Sequence, residues 1–103
     1  MASMEKRSAH YQLQEIQAIV SRDGRRSFTS TAIFNSLSMG LTWEMVVKTI
    51  LSMTPVMFYK SMTTRADHTL WQDVYHVPCQ NGKTAYVKVT LQAGAVVIQF
   101  KEK

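Results

Sequence analysis

The 103-residue chain is predicted to be a single α+β domain spanning residues 1–103, with N-terminal helices packed on a C-terminal antiparallel β-meander. Three observations predict this. Apolar residues recur at helical spacing through the first half. From Thr69 onward the period shortens from near 3.6 to 2, the spacing of strands with one buried face. Two short turn dipeptides, Asn81-Gly82 and Ala93-Gly94, separate the alternating runs at hairpin spacing.

Taken in order, Ser8 to Arg22 carries Leu13, Ile16, Ile19 and Val20 on one helical face, with Ser8 as a candidate cap and Asp23-Gly24 as a stop. Arg25-Arg26-Ser27-Phe28 forms a short basic link or an edge strand. Thr29 or Ser30 then caps a helix bearing Ile33, Phe34 and Leu37 that Gly40 closes. Thr42 begins a third helix whose Trp43, Val46, Val47, Ile50 and Met53 share one side, which makes it the main core helix. Thr54-Pro55 suits the cap and first position of a further helical turn leading into Phe58, Tyr59 and Lys60.

Strand patterns follow at residues 69–77, 85–92 and 96–101. A two-residue turn at Ala93-Gly94 pairs Leu91 with Val96, Val89 with Ile98 and Val87 with Phe100 on the buried face. On the opposite face it pairs Lys88 with Gln99 and Tyr86 with Lys101, so a phenol lies beside an ammonium. The first hairpin stays open between two registers. A two-residue Asn81-Gly82 turn sets Val74 opposite Val89 and buries Gln72, whereas a one-residue slip near Pro78, which cannot donate to a ladder, turns Gln72 to the Tyr86 face.

Twelve Lys and Arg against seven Asp and Glu give a net charge of +5, which favours acidic partners such as nucleic acid. No apolar run approaches the roughly 18 residues of a membrane helix, and the start lacks a signal peptide's apolar core, so no membrane partner and a cytoplasmic location are expected. The single Cys79 allows no internal disulfide, and with His76 it falls short of a four-ligand zinc site. Neither metal nor cofactor is expected. Residues 1–4 read as a disordered cloning scar or the product of an upstream start.

Residues 58–76 pack aromatics, amides, hydroxyls and cations more densely than the rest of the chain. Aromatic faces beside cationic groups suit single-stranded nucleic acid, and a polar loop entering an amphipathic strand is the plain alternative. The run Phe58-Tyr59-Lys60-Ser61-Met62-Thr63-Thr64, then Asp67-His68-Thr69, then Trp71-Gln72-Asp73-Val74-Tyr75, resembles the signature of the MqsR toxins, the motility quorum-sensing regulators. Glu5-Lys6-Arg7 and the closing Val97 to Lys103 resemble that family's two ends. The likeness is strong over residues 58–76 and 84–103, and looser over residues 11–57.

This resemblance implies a RelE-like ribonuclease fold and the toxin of a type II toxin–antitoxin pair. It further implies mRNA cleavage at GCU-like sites without the ribosome, and a cognate antitoxin with a zinc-bearing part and a helix-turn-helix part that assembles with two toxins. The family's catalytic positions fall on Lys60, Gln72 and Tyr86, with Lys101 as a fourth. These residue types suit attack of a ribose 2′-OH on the adjacent phosphate, which needs a base, an acid and a cation for the phosphorane. In that scheme Lys60 and Lys101 stabilise charge, Gln72 orients the substrate and Tyr86 transfers a proton. His10 and His68 compete for the proton-transfer role, because imidazole titrates near neutrality, and both also count as RNA contacts. Arg26, Tyr59 and Lys88 complete the RNA-binding candidates, while His76 reads as hairpin surface. A non-catalytic RNA- or DNA-binding module using the same basic face is the alternative function.

Overall fold

The computed structural model describes residues 4–103, so the expectation for residues 1–3 lies outside the described residues. Met4 is tied to the sheet edge. Its N–H donates to Thr63 Oγ1 and its carbonyl accepts from the Thr63 N–H, each at 2.9 Å. The elements run β1 (Glu5–Lys6), α1 (Leu13–Asp23), a 3-10 turn (Gly24–Ser27), α2 (Ser30–Ser38), α3 (Trp43–Leu51), a second 3-10 turn (Pro55–Met57), β2 (Phe58–Thr63), β3 (Trp71–Pro78), β4 (Thr84–Gln92) and β5 (Ala95–Glu102). The α+β expectation holds, with helices first and the main sheet after them.

The helix termini follow local chemistry. Thr29 Oγ1 accepts the Ala32 N–H at 3.0 Å and Thr42 Oγ1 accepts that of Met45 at 3.2 Å, so each threonine satisfies one orphan donor of the helix it opens. Gly40, with φ +83°, ends α2. Its N–H reaches the Leu37 carbonyl and that of Leu41 reaches Ser36, the paired closure that a left-handed residue permits. Gln17 of α1 donates to the carbonyls of Ile50, Leu51 and Met53, tying α1 to the end of α3.

Two helix expectations change. α1 begins at Leu13, not near Ser8, because residues 10 and 11 turn their backbone N–H groups onto the carboxylate of Asp73. The ion offers those donors a stronger partner than another helical turn. On α2 the buried side chains are Ala32 and Ser36, while Phe34 and Leu37 face solvent. This helix runs along the free edge of β5, where Asn35 Nδ2 and the Thr29 N–H donate to the carbonyls of Phe100 and Ile98. Small residues permit that approach. The basic link meets the same edge through one bridge, Phe28 to Ile98.

Among the described residues the sheet has five antiparallel strands in the order β1-β2-β3-β4-β5. The helical turn expected at Thr54-Pro55 forms as the 3-10 turn Pro55–Met57, and β2 follows it where the sequence suggests a polar loop. The fully buried residues of β2 are Ser61 and Thr63, so no apolar alternation marks it. The second hairpin has the predicted register throughout, from Gln92 with Ala95 to Tyr86 with Lys101. The first hairpin takes the slipped register, Asp73 with Val89 and His76 with Tyr86. Cys79 N–H bonds to the Lys83 carbonyl across a three-residue loop, with Gly82 at φ +84° in its left-handed position. Asn81 Nδ2 donates to the Met39 carbonyl and fixes the hairpin tip to the end of α2.

The core lies between the helices and one face of this sheet. Ile16, Val20, Val46 and Ile50 meet Tyr75, Val77, Val87, Val89, Ile98 and Phe100 there. The other face carries Lys60, Gln72, Val74, His76, Tyr86, Lys88, Gln99 and Lys101, as the strand register requires.

Candidate active site

The centre of that outer face is a row across four strands. His76 on β3 stands opposite Tyr86 on β4, and Tyr86 stands opposite Lys101 on β5. Tyr59 joins from β2, where a bulge between Phe58 and Lys60 breaks the register and re-aims a side chain, as bulges do. The Tyr59 and His76 rings stack at 4.4 Å, and His76 and Tyr86 lie 5.6 Å apart between centroids. Lys101 Nζ is 5.2 Å and Lys88 Nζ 5.9 Å from the centre of the Tyr86 ring.

The next row along holds Lys60, Val74, Lys88 and Gln99. Lys60 is paired with Glu5 of β1. That pair first, and then the phenols of Tyr59 and Tyr86, hold its amine above the ordinary lysine value. Lys88 is pulled the other way, by burial first and then by the ammonium groups of Lys101 and Lys60. Three amines therefore share one small surface. Among the described residues, no carboxylate forms a salt bridge with Lys88 or Lys101, and Glu5 occupies Lys60 alone. Such a cluster is electrostatically incomplete without an anion.

Sequence reasoning placed Lys60, Tyr86, Lys101, Tyr59 and Lys88 in this site, and the fold brings all five together. Gln72 shares the face through the slipped register but lies four residues along β3 from His76, roughly 13 Å at strand spacing. It is also only 9% exposed. His10 and His68 lie elsewhere. His10 stacks on Trp71, on the core side of the sheet's far end, and its Nδ1 is 2.8 Å from Lys6 Nζ. His68 is in the exposed turn before β3, and Arg26 is in the turn after α1, engaged with Asp23.

His76 was missed. Burial first, and then the Lys103 ammonium, hold its imidazole below the usual 6.5. Its neighbours come from β2 and β4, so no local motif announces it, and the only usable signal was the alternative register of the first hairpin. The signature itself divides by face. Lys60 and Gln72 look outward, while Asp73 and Tyr75 are fully buried on the helix side, where Asp73 anchors His10 and Tyr11.

A phenol, a neutral imidazole and a cluster of amines, set on the outer face of a sheet backed by helices, are the parts needed to hold a phosphodiester and move protons around it. The class is that of the small α+β endoribonuclease toxins. Residues 8–102 match the family described as motility quorum-sensing regulator, toxin of MqsA. The mRNA interferase toxin MqsR of Escherichia coli (strain K12) is 37% identical over 100 residues, covering 97% of this chain and 100% of that protein. The chain belongs to the MqsR toxin family.

Proposed function

We propose that this toxin cuts single-stranded mRNA by attack of a ribose 2′-OH on the adjacent phosphate. The observation that carries the reading is the row of His76, Tyr86 and Lys101 with Lys60 and Lys88 beside it. In the step, the 2′ oxygen bonds to phosphorus as the bond to the 5′ oxygen breaks, leaving a 2′,3′-cyclic phosphate. Neutral His76 takes the hydroxyl proton and Tyr86 gives one to the departing 5′ oxygen; solvent then restores both groups. Lys60, Lys101 and Lys88 offset the phosphorane charge. Gln72, one row beyond Lys60, orients the neighbouring nucleotide by neutral hydrogen bonds rather than the scissile phosphate.

On family likeness, cleavage falls at GCU-like sites without the ribosome. The cytoplasm is then the place of action. No helix among the described residues is long and apolar enough to cross a membrane. The cognate antitoxin would be a zinc-binding protein with a helix-turn-helix part, its dimer holding two toxins. Covering the cationic face would block RNA directly, whereas strand addition at the short β1 edge would leave that face open.

The test is a defined RNA incubated with purified protein in EDTA. Wild type yields a cyclic-phosphate end, Lys60→Ala loses about 10²–10³-fold in rate, and Tyr86→Phe loses about 10²-fold or more with its fold intact. RNA binding without cleavage by wild type would return the protein to a non-catalytic binding module. Full activity in Tyr86→Phe would remove the phenol from the mechanism.

A further inference from the structure

A cavity of about 370 Å³ opens between the start of α2 and the outer face of β4 and β5. It falls in the roughly 300–1,000 Å³ range of small-ligand sites. Tyr86, Lys88 and Lys101 form one wall, so the cavity adjoins the proposed reaction centre. Thr31, Asn35 and Gln99 line the remainder with hydroxyl and amide groups.

These polar groups are unequally committed. Asn35 Nδ2 is bonded to the Phe100 carbonyl. Among the described residues, the side chains of Thr31, Gln99, Tyr86, Lys88 and Lys101 make no hydrogen bond to protein. A primary amide offers a donor and an acceptor side by side, the pattern that reads the edge of an unpaired base. The amines at the rim supply charge for the phosphate attached to it, and the Tyr86 ring lends a face for stacking.

We infer that this cavity is a nucleotide subsite, in which Gln99 and Thr31 read the base next to the scissile bond while Lys88 and Lys101 hold its phosphate. The assignment rests on the proposed nuclease reading. It adds a specificity pocket built jointly by a helix and the sheet, which neither the strand pattern nor the signature residues contain. Tyr86 then borders both the reacting phosphate and the base that selects it. Substrate choice and proton transfer share a wall, so a wrong base displaces the phosphate from the phenol.

Binding and cutting can be read separately. An RNA carrying a 2′-deoxy group at the scissile nucleotide cannot react and reports affinity alone. Thr31→Trp fills the cavity from an exposed helix position, and the subsite predicts at least a tenfold weaker affinity for this RNA. Gln99→Ala leaves the cavity open and should cut a panel of RNAs with discrimination at one flanking position reduced about tenfold, the other positions keeping theirs. Circular dichroism verifies that both variants fold. Wild-type affinity in Thr31→Trp together with an unchanged site preference in Gln99→Ala overturns the subsite, even if Lys60→Ala abolishes cutting. Conversely, affinity lost in Thr31→Trp while Lys60→Ala still cuts keeps the subsite and removes the proposed reaction centre.

Discussion

His76 shows how a single residue gains its proposed role from neighbours that the chain order does not supply. Its ring lies between Tyr59 of β2 and Tyr86 of β4, with Lys101 beyond Tyr86 and Lys103 contributing charge. Burial and the Lys103 cation both disfavour imidazolium, so the folded protein holds the base form to lower pH than a free histidine does. A proton acceptor must be neutral. In the proposed mechanism activity is therefore present above that depressed value and is lost as pH falls through it. The kcat/KM profile should show an acid limb centred below 6.5. His76→Phe keeps a stacked ring but cannot take a proton; it should lower kcat about 10²-fold and abolish that limb with little change in KM. An unaltered acid limb in His76→Phe would assign the proton to another group.

At the scale of elements, the two hairpins illustrate what local sequence can and cannot decide. Ala93 sits at φ +52° and Gly94 at φ +76°, the pair of left-handed residues a two-residue turn requires. The alanine Cβ resists that conformation, at a cost of roughly 1–2 kcal/mol. Ala93→Asn restores the favoured dipeptide and should stabilise the protein by about 1 kcal/mol, seen calorimetrically as a Tm rise of about 4–8 °C. No rise would mean that the turn is not strained. The first hairpin also contains Asn-Gly, yet Gly82 serves a three-residue loop. That dipeptide fits either loop length, and the choice was settled by which face of β3 could pack on the helices: Tyr75 and Val77 inward, His76 outward. Asp73 then points inward and must find partners, which are the N–H groups of His10 and Tyr11. Asp73→Ala leaves those donors without their ion and should cost about 2–3 kcal/mol in urea unfolding. It should also loosen β1, and with it the Glu5 contact to Lys60. A midpoint unchanged in urea would refute that anchoring role.

For the molecule as a whole, the net charge of +5 matters through its placement. Arg22 and Arg26 engage Asp23 on the helical side, whereas Lys60, Lys88 and Lys101 gather on the outer sheet face. Counterion release makes the affinity of such a face for single strands fall with salt by about 0.7 log units per decade for each phosphate neutralised. Lys88→Ala should flatten this slope by about 0.7, measured with the unreactive 2′-deoxy RNA. An identical slope would mean that Lys88 touches no phosphate. The amide and amine rows also explain the distribution of the family signature. In the proposed mechanism its outward members meet substrate, and its inward members, Asp73 and Tyr75, lie buried in the sheet on which those outward members stand.

The sequence by itself determined the fold class, the three helices, and the register that puts Tyr86 beside Lys101, because periodicity and turn chemistry act over a few neighbouring residues. Its resemblance to a known signature singled out Lys60 as a candidate as well. Tertiary structure alone decided that β2 is a strand, since its buried positions are Ser61 and Thr63 and carry no apolar mark. It also turned Gln72 outward, carried His10 to the far end of the sheet, and seated His76 between two phenols. Those outcomes depend on pairing between segments distant in the chain, where the energy that selects one register is the packing of the opposite face.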